Sequence, residues 1–380
     1  MLLNQLLEVA RTQTAAHRSL QRRARSAGAR PPLVLVPSVL GTRLVDGHGR
    51  GGWSSTAELY GLAPSGRHDE LHPDGLLEGF TVVPRLWSYD TYGGLVRYLE
   101  RVGGYARGKS LFVLGYDWRK GVADAAAQLE DLVDRVSGRS QEPVDLLGVS
   151  SGGLVARYFL SKGSAGRTGG AQRQALQQRI RRLVCVGTPQ RGTFNALDVL
   201  ANGSQPAPFG RVFAAAQLAA MQITWDLLPH PSERLFIDEQ GKQLDFELYD
   251  PDTWLELGIV SLPKAELAAR LSAARHVHES LDGGCSRDDI FVVGARQVPT
   301  VVRVLVVGGR LQFPNCDPTG REPHGALLYA PGDGMTTEAS LQAIPGLTPE
   351  RVHWVETKQH RSLPTLPEVQ RVVLESLLAS

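Results

Sequence analysis

Cysteine is scarce in this 380-residue chain, and so is any imbalance of charge. The three cysteines, Cys185, Cys285 and Cys316, make no disulfide framework, and no spacing of His, Cys, Asp or Glu suggests a metal site. Cys185 lies in an apolar run and reads as core. Cys285 and Cys316 can pair only if the fold brings them together. Long hydrophobic runs are missing too. No segment approaches the roughly 20 apolar residues that cross a bilayer, and the first residues hold no apolar stretch of secretory type. A cytoplasmic location is therefore expected, with peripheral contact at a membrane left open. Lys and Arg number 41 against 39 Asp and Glu, a net charge of +2, which gives no electrostatic ground for a nucleic-acid partner. No internal repeat is present, no motif calls for a cofactor, and nothing indicates an oligomeric state.

What is present centres on residues 144–160, VDLLGVSSGGLVARYFL. An apolar run ends abruptly in Gly148-Val149-Ser150-Ser151-Gly152-Gly153, and an apolar-rich segment follows at once. Strand, sharp turn, helix is the context of a G-x-S-x-G nucleophile elbow, in which small residues must flank the nucleophile two positions away on each side. Gly148 and Gly152 fit that frame around Ser150. A frame on Ser151 would put Val149 at one of those sites, with the wrong bulk. Ser150 is the candidate nucleophile. The plainer alternative is a Gly/Ser turn that opens an ordinary helix.

The rest of the chain supplies a setting for it. Residues 1–32 carry Arg11, Arg18, Arg22, Arg23, Arg25 and Arg30 against the single acid Glu8, with leucines at helical spacing at the start. They read as a basic N-terminal arm, a solvated leader rather than a lipid-touching helix. Leu33 to Val36 is a buried-strand pattern that runs into the small-residue loop Ser38–Leu40, where an α/β-hydrolase places its second oxyanion donor. Residues 45–90 read as an excursion above a sheet. Helices are expected over Tyr92 to Val102, Asp124 to Val136 and Pro367 to Leu378. Strands are expected over Ser110 to Leu114, Arg182 to Val186, Asp289 to Val293, Thr300 to Val307 and Val352 to Val355. Tyr329 to Gly334 reads as a turn. Residues 194–285, with helical pieces at Phe213 to Leu228 and Pro263 to Val277, occupy the place of a cap. Met221, Trp225 and Leu228 there serve an apolar substrate or are simply core. This alternation argues an α/β protein: a mostly parallel sheet with helices on both faces and cap insertions, forming one domain over 33–380.

A serine hydroxyl needs an adjacent base, and the base needs a carboxylate to orient it. In α/β-hydrolases these follow in the order Ser, acid, His. His353 and His360 lie beyond Asp333; His353 is inside a strand and His360 in the loop after it, so His360 is the candidate base. Asp333, in a Gly-Asp-Gly turn, is the candidate acid, and Asp317 its rival. The oxyanion hole would use the backbone N–H of Ser151 and of Val39.

Seven stretches in order resemble the lecithin:cholesterol acyltransferase and phospholipid:diacylglycerol acyltransferase family: LVLVPSVLGTRL at 33–44, Trp53, GYDWR at 115–119, GVSSGG at 148–153, GTPQRGT at 187–193, GDGMTT at 332–337 and QHRSLP at 359–364. Trp225-Asp226-Leu227-Leu228-Pro229 also looks like the family's cap segment. The resemblance implies an α/β-hydrolase fold, a triad at Ser150, Asp333 and His360, and an acyl-enzyme formed from a lipid ester. Three positions depart from the family. Ser38 stands where glycine is usual, and serine adds strain if that position needs positive φ. Val149 replaces a common histidine and Met335 a usual threonine. The cysteines give no sign of the disulfides of secreted animal members. The leading functional expectation is a serine acyltransferase that uses a lipid ester as substrate. A lipase, phospholipase or esterase would form the same acyl-enzyme and use water. A non-catalytic hydrolase-fold binding protein is the reading from another class, and the intact triad argues against it.

Overall fold

Strand and helix segments alternate along the chain, and their apolar content decides which side of each is covered. The computed structural model describes residues 17–24, 30–49, 51–53, 71–83, 87–140, 142–161, 170–204, 213–284, 287, 289–314, 324–357 and 359–379. Six strands form the central sheet: β1 (Leu33–Val36), β2 (Leu111–Val113), β3 (Val144–Val149), β4 (Ile180–Val186), β5 (Ile290–Gly294) and β6 (Val352–Trp354). Their order across the sheet is β6-β5-β4-β3-β1-β2, and every neighbouring pair is parallel. All of β1 and β3 is buried, as strands covered on both faces must be.

Side chains alternate between the two faces. Val34, Val36, Val144, Leu146, Leu183 and Cys185 join one core with α2 (Val122–Ser140) and α3 (Ser151–Leu160). Leu33, Leu35, Leu147, Val149, Val184 and Val186 join the other, with α1 (Gly93–Arg101) and α5 (Pro367–Leu378). Cys185 is a fully buried free thiol, its pKa pushed up to about 11 by burial, and so is inert. Cys285 and Cys316 lie outside the described residues.

The basic arm differs from expectation where it is described. Residues 17–24 are helical and bury Leu20 and Ala24, and the Gln21 side chain donates to the Arg101 carbonyl at 3.2 Å. Leu20 and Ala24, four apart, share one face, and Leu20 enters the α1–α5 core. Residues 1–16 fall outside the described set. At the start of and within 45–90, the strands Thr42–Val45, Gly51–Trp53 and His72–Leu76 form an antiparallel sheet, and Gly79–Val83 pairs with Trp87–Asp90.

Three other expectations need correction. The run 300–307 is two strands, Val298–Val301 and Val304–Val307, in different sheets. Between them Val302 N–H bonds the Leu328 carbonyl and Arg303 reaches the carbonyls of Arg234 and Leu327, so the chain turns from one sheet to the next. Tyr329–Gly332, expected as turn, is a strand antiparallel to Val298–Val301. The segment 213–228 holds two short helices, Ala215–Ala219 and Gln222–Asp226, because Met221 between them is extended (φ −98°, ψ 120°).

Residues 194–285 between β4 and β5 have a core of their own, with Trp225 packed on Trp254 at 5.0 Å between ring centroids. Trp225 and Leu228 are fully buried and Met221 nearly so. They are core, not a substrate-facing surface. The last helix of this region is α4 (Lys264–Asp282).

Candidate active site

At the carboxyl end of β3 the chain turns through Ser150 (φ 51°, ψ −124°) directly into α3. A non-glycine residue in this region costs about 1–3 kcal/mol and persists only where its surroundings over-determine it. Here the Ser150 N–H bonds the Val186 carbonyl at 2.7 Å. The flanking glycines are forced by contact. A Cβ on Gly152 would overlap the Val36 carbonyl and lie 2.8 Å from that of Pro37, and one on Gly148 would lie 2.6 Å from the Gly153 nitrogen. The helix therefore starts pressed against β1, with the serine hydroxyl raised above the sheet.

Two partners come from far along the chain. His360 Nε2 is 2.9 Å from Ser150 Oγ, and His360 Nδ1 is 2.7 Å from Asp333 Oδ2. His360 does not sit in an open loop; it is the first residue of a 3-10 turn, His360–Thr365, just beyond β6. His353 stays within β6, paired with Val293. Asp333 is fully buried. Its second oxygen, Oδ1, accepts the N–H groups of Met335 and Thr336 at 3.0 and 2.7 Å, so the carboxylate is locked with Oδ2 toward the imidazole. The strand pairing before it fixes the turn, and Thr300 Oγ1 accepts the Gly334 N–H at 2.9 Å. The rival Asp317 lies outside the described residues.

The 187–193 segment ties this acid turn to the 194–285 region. Thr336 Oγ1 donates to the Gly187 carbonyl and Thr193 Oγ1 to that of Met335, while the Thr193 N–H bonds the Leu227 carbonyl. The GYDWR segment does the same for the loop before the elbow. Tyr116 hydroxyl donates to the Pro37 carbonyl at 2.7 Å, and Trp118 Nε1 to that of Thr42 at 3.3 Å. From the opposite side the Tyr92 hydroxyl accepts the Ser38 N–H at 2.9 Å and donates to Ser38 Oγ at 3.0 Å.

That loop also answers the question raised by Ser38. The positive φ falls on Leu40 (63°) and not on Ser38, so serine brings no such strain and gains Tyr92 as a partner. Ser151, as the first residue of α3, has an N–H with no intrahelical acceptor. The Val39 N–H reaches the elbow, where it donates to Ser151 Oγ at 3.0 Å. Tyr116 and Thr336 lie within the GYDWR and GDGMTT stretches and Tyr92 at a helix start, but nothing in the sequence assigns partners to their hydroxyls. A buried tyrosine that binds a carbonyl some 79 residues away carries no periodic or local signal. Among the described residues no cluster of three or more His, Cys, Asp or Glu could hold a metal ion, and no helix is long and apolar enough to cross a membrane.

The family model described as Lecithin:cholesterol acyltransferase matches residues 80–229, which contain GYDWR, the elbow and the 187–193 segment. Among solved structures, the Tle4–Tli4 complex aligns over 92% of this chain and 98% of the other, at 13% identity and a TM-score of 0.59. Looser likenesses are the mature lipase BlEst2 of Bacillus licheniformis (12% identity, 93% and 94% coverage, TM-score 0.41) and lipase 1 of Pelosinus fermentans (12%, 92% and 99%, 0.37). No curated protein matches the sequence significantly. The parallel sheet with helices on both faces is an α/β-hydrolase fold, and the family match on it supports an ester-acting enzyme. Over residues 80–229, then, the chain matches the lecithin:cholesterol acyltransferase family, carried on an α/β-hydrolase fold.

Proposed function

We infer that this protein is a serine O-acyltransferase that takes an acyl group from a lipid ester and passes it to an alcohol. The unbroken hydrogen-bond chain Asp333–His360–Ser150 carries this reading. His360 Nε2 would accept the Ser150 proton as Oγ attacks the ester carbon, and would then give it to the departing alkoxide. Asp333, already saturated on Oδ1 by two N–H donors, would hold the tautomer and stabilise the imidazolium. The N–H groups of Ser151 and Val39 would face the oxyanion. In the second half an alcohol gives its proton to His360, its oxygen bonds the acyl carbon, and the Ser150 ester bond breaks with return of the proton to Oγ.

Water competes with any alcohol at that second step. An alcohol wins only if it is bound and oriented, and effective molarities of about 10⁵–10⁸ M for well-placed groups suffice. The family match over residues 80–229 supports a lipid ester as the donor class. The test is product analysis with a phospholipid in the presence of a sterol, a diacylglycerol or a long-chain alcohol. Ester formation at unchanged or higher donor consumption is expected. Free fatty acid as the sole product with all three acceptors would replace transfer by hydrolysis. Failure to react with a fluorophosphonate would point to a non-catalytic binding protein.

A further inference from the structure

The second residue of the Ser150-Ser151 pair has a use for its side chain that the acyl-enzyme reading leaves open. Ser151 is 1% exposed and Tyr116 fully buried. Val39 N–H donates to Ser151 Oγ at 3.0 Å, and the Tyr116 hydroxyl donates to the carbonyl of Pro37, two residues before Val39.

The bond to Ser151 is not what holds the loop in place. Tyr92 binds Ser38 at both N and Oγ, Trp118 binds the Thr42 carbonyl, and the Gly41 N–H closes on the Ser38 carbonyl at 2.8 Å. What the Ser151 hydroxyl adds is occupancy of a donor aimed at the elbow.

We propose that the Ser151 hydroxyl stands in for the oxyanion: it holds the Val39 N–H in the resting enzyme and yields it when negative charge develops beside Ser150. The proposal rests on the acyl-enzyme reading above and makes Ser151 a positioning residue, distinct from its backbone role. A neutral ester carbonyl offers the N–H no better bond than the hydroxyl does. An oxyanion offers a charge-assisted bond roughly twice as strong. The donor is thus withheld from the bound ester and engaged in the transition state, at the cost of one neutral hydrogen bond added to the acylation barrier.

Removing the hydroxyl leaves the partly buried Val39 N–H without its protein partner at rest but not in the transition state. Ser151→Ala is therefore expected to acylate faster and to be less stable. The probe is an alkyl fluorophosphonate. Ser150 Oγ attacks phosphorus, the P–F bond breaks with loss of fluoride, and the serine proton passes to His360. Labelling about three- to tenfold faster than wild type is expected, the worth of one ordinary hydrogen bond. The burst phase with a p-nitrophenyl ester should show the gain in the ratio of acylation rate to KM, because the freed N–H is open to the bound ester as well as to the oxyanion, and thermal unfolding should begin at lower temperature. A defect of structure alone would lower that ratio. Should Ser151→Ala not fold, Ser151→Cys keeps the bulk with a weak acceptor, and about a twofold acceleration is expected. Labelling that depends on Ser150 but is not accelerated in the variant that folds overturns the stand-in role alone. Labelling of Ser150→Ala at the wild-type rate overturns the acyl-enzyme reading and this inference with it.

Discussion

Asp333 shows how completely one side chain can be specified. Both N–H groups on Oδ1 must be met by an acceptor. Asp333→Asn can meet them only with its amide oxygen, which turns the NH₂ group toward His360 Nδ1. The imidazole must then carry its proton on Nε2, facing Ser150, where it is useless as a base. Turnover should fall by about 10⁴, as in the analogous change of a serine protease, while the melting temperature moves little. Steady-state kinetics and a thermal melt on one preparation check both. Near-normal turnover would mean that another acid orients His360.

Loops beside the elbow are placed by elements that never reach the chemistry. The chain from Pro37 to Thr42 is held by Tyr92 at the start of α1 and by Tyr116 and Trp118 after β2. Tyr92→Phe removes the partner of the Ser38 N–H and leaves that group buried against a ring. A stability loss of about 1–3 kcal/mol is expected. Turnover should fall toward the roughly 10²–10³ that loss of one oxyanion donor costs. A urea titration and kcat measured together test this; loss of stability with kcat intact would show that the loop keeps its place without Tyr92. The region 194–285, which we propose to be a cap, is a second such element. With Trp225, Trp254 and Leu228 already committed to its own core, any influence of this region on substrates should come from its remaining residues. Trimming its surface helices is expected to lower long-chain ester rates relative to short-chain ones; an unchanged ratio would leave the cap with a structural role only.

Two buried ionisable groups join the cap to the body and to itself, and they pull stability in opposite directions with pH. Asp226 accepts the Val122 N–H at the start of α2, with Gln222 on its other oxygen, and burial raises its pKa to about 6 against the weaker pull of Arg270. His278 donates from Nε2 to the Leu228 carbonyl, and burial lowers its pKa to about 4, helped by neighbouring His230. A carboxyl with a raised pKa favours the fold at low pH, and that favour is lost as pH rises from 3.8 through about 6. A histidine with a lowered pKa favours the fold above 6.5, and that favour is lost as pH falls toward 4. Each is worth a few kcal/mol by the usual ~1.4 kcal/mol per pKa unit, and in the wild type they largely offset. Asp226→Asn should unmask the histidine, so that urea midpoints fall more steeply between pH 6.5 and 4 than in wild type. A midpoint curve parallel to wild type would show that Asp226 is ionised equally in folded and unfolded chains.

Much of this was legible in the sequence because it is written locally. β1, β3 and β4 are largely apolar runs followed by small-residue turns, and α5 is a twelve-residue helix with an apolar stripe, so periodicity and composition suffice to find them. Ser150 was legible from its two glycines, whose contacts with β1 and α3 forbid a Cβ. Asp333 and His360 were legible only as positions, through chain order and the turns that carry them. Their meeting at 2.7 Å across 27 residues, and that of His360 with Ser150 across 210, belongs to the tertiary structure. So do the split of 300–307 between two sheets, the burial of Trp225, and the grip of Tyr92, Tyr116 and Ser151 on the loop from Pro37 to Thr42. Local sequence determines which segments can become strand, turn or helix, because backbone dihedrals and side-chain periodicity act over a few residues. Which carbonyl a buried hydroxyl must satisfy is decided only when distant segments share one water-free volume, where every donor and acceptor has to find its partner.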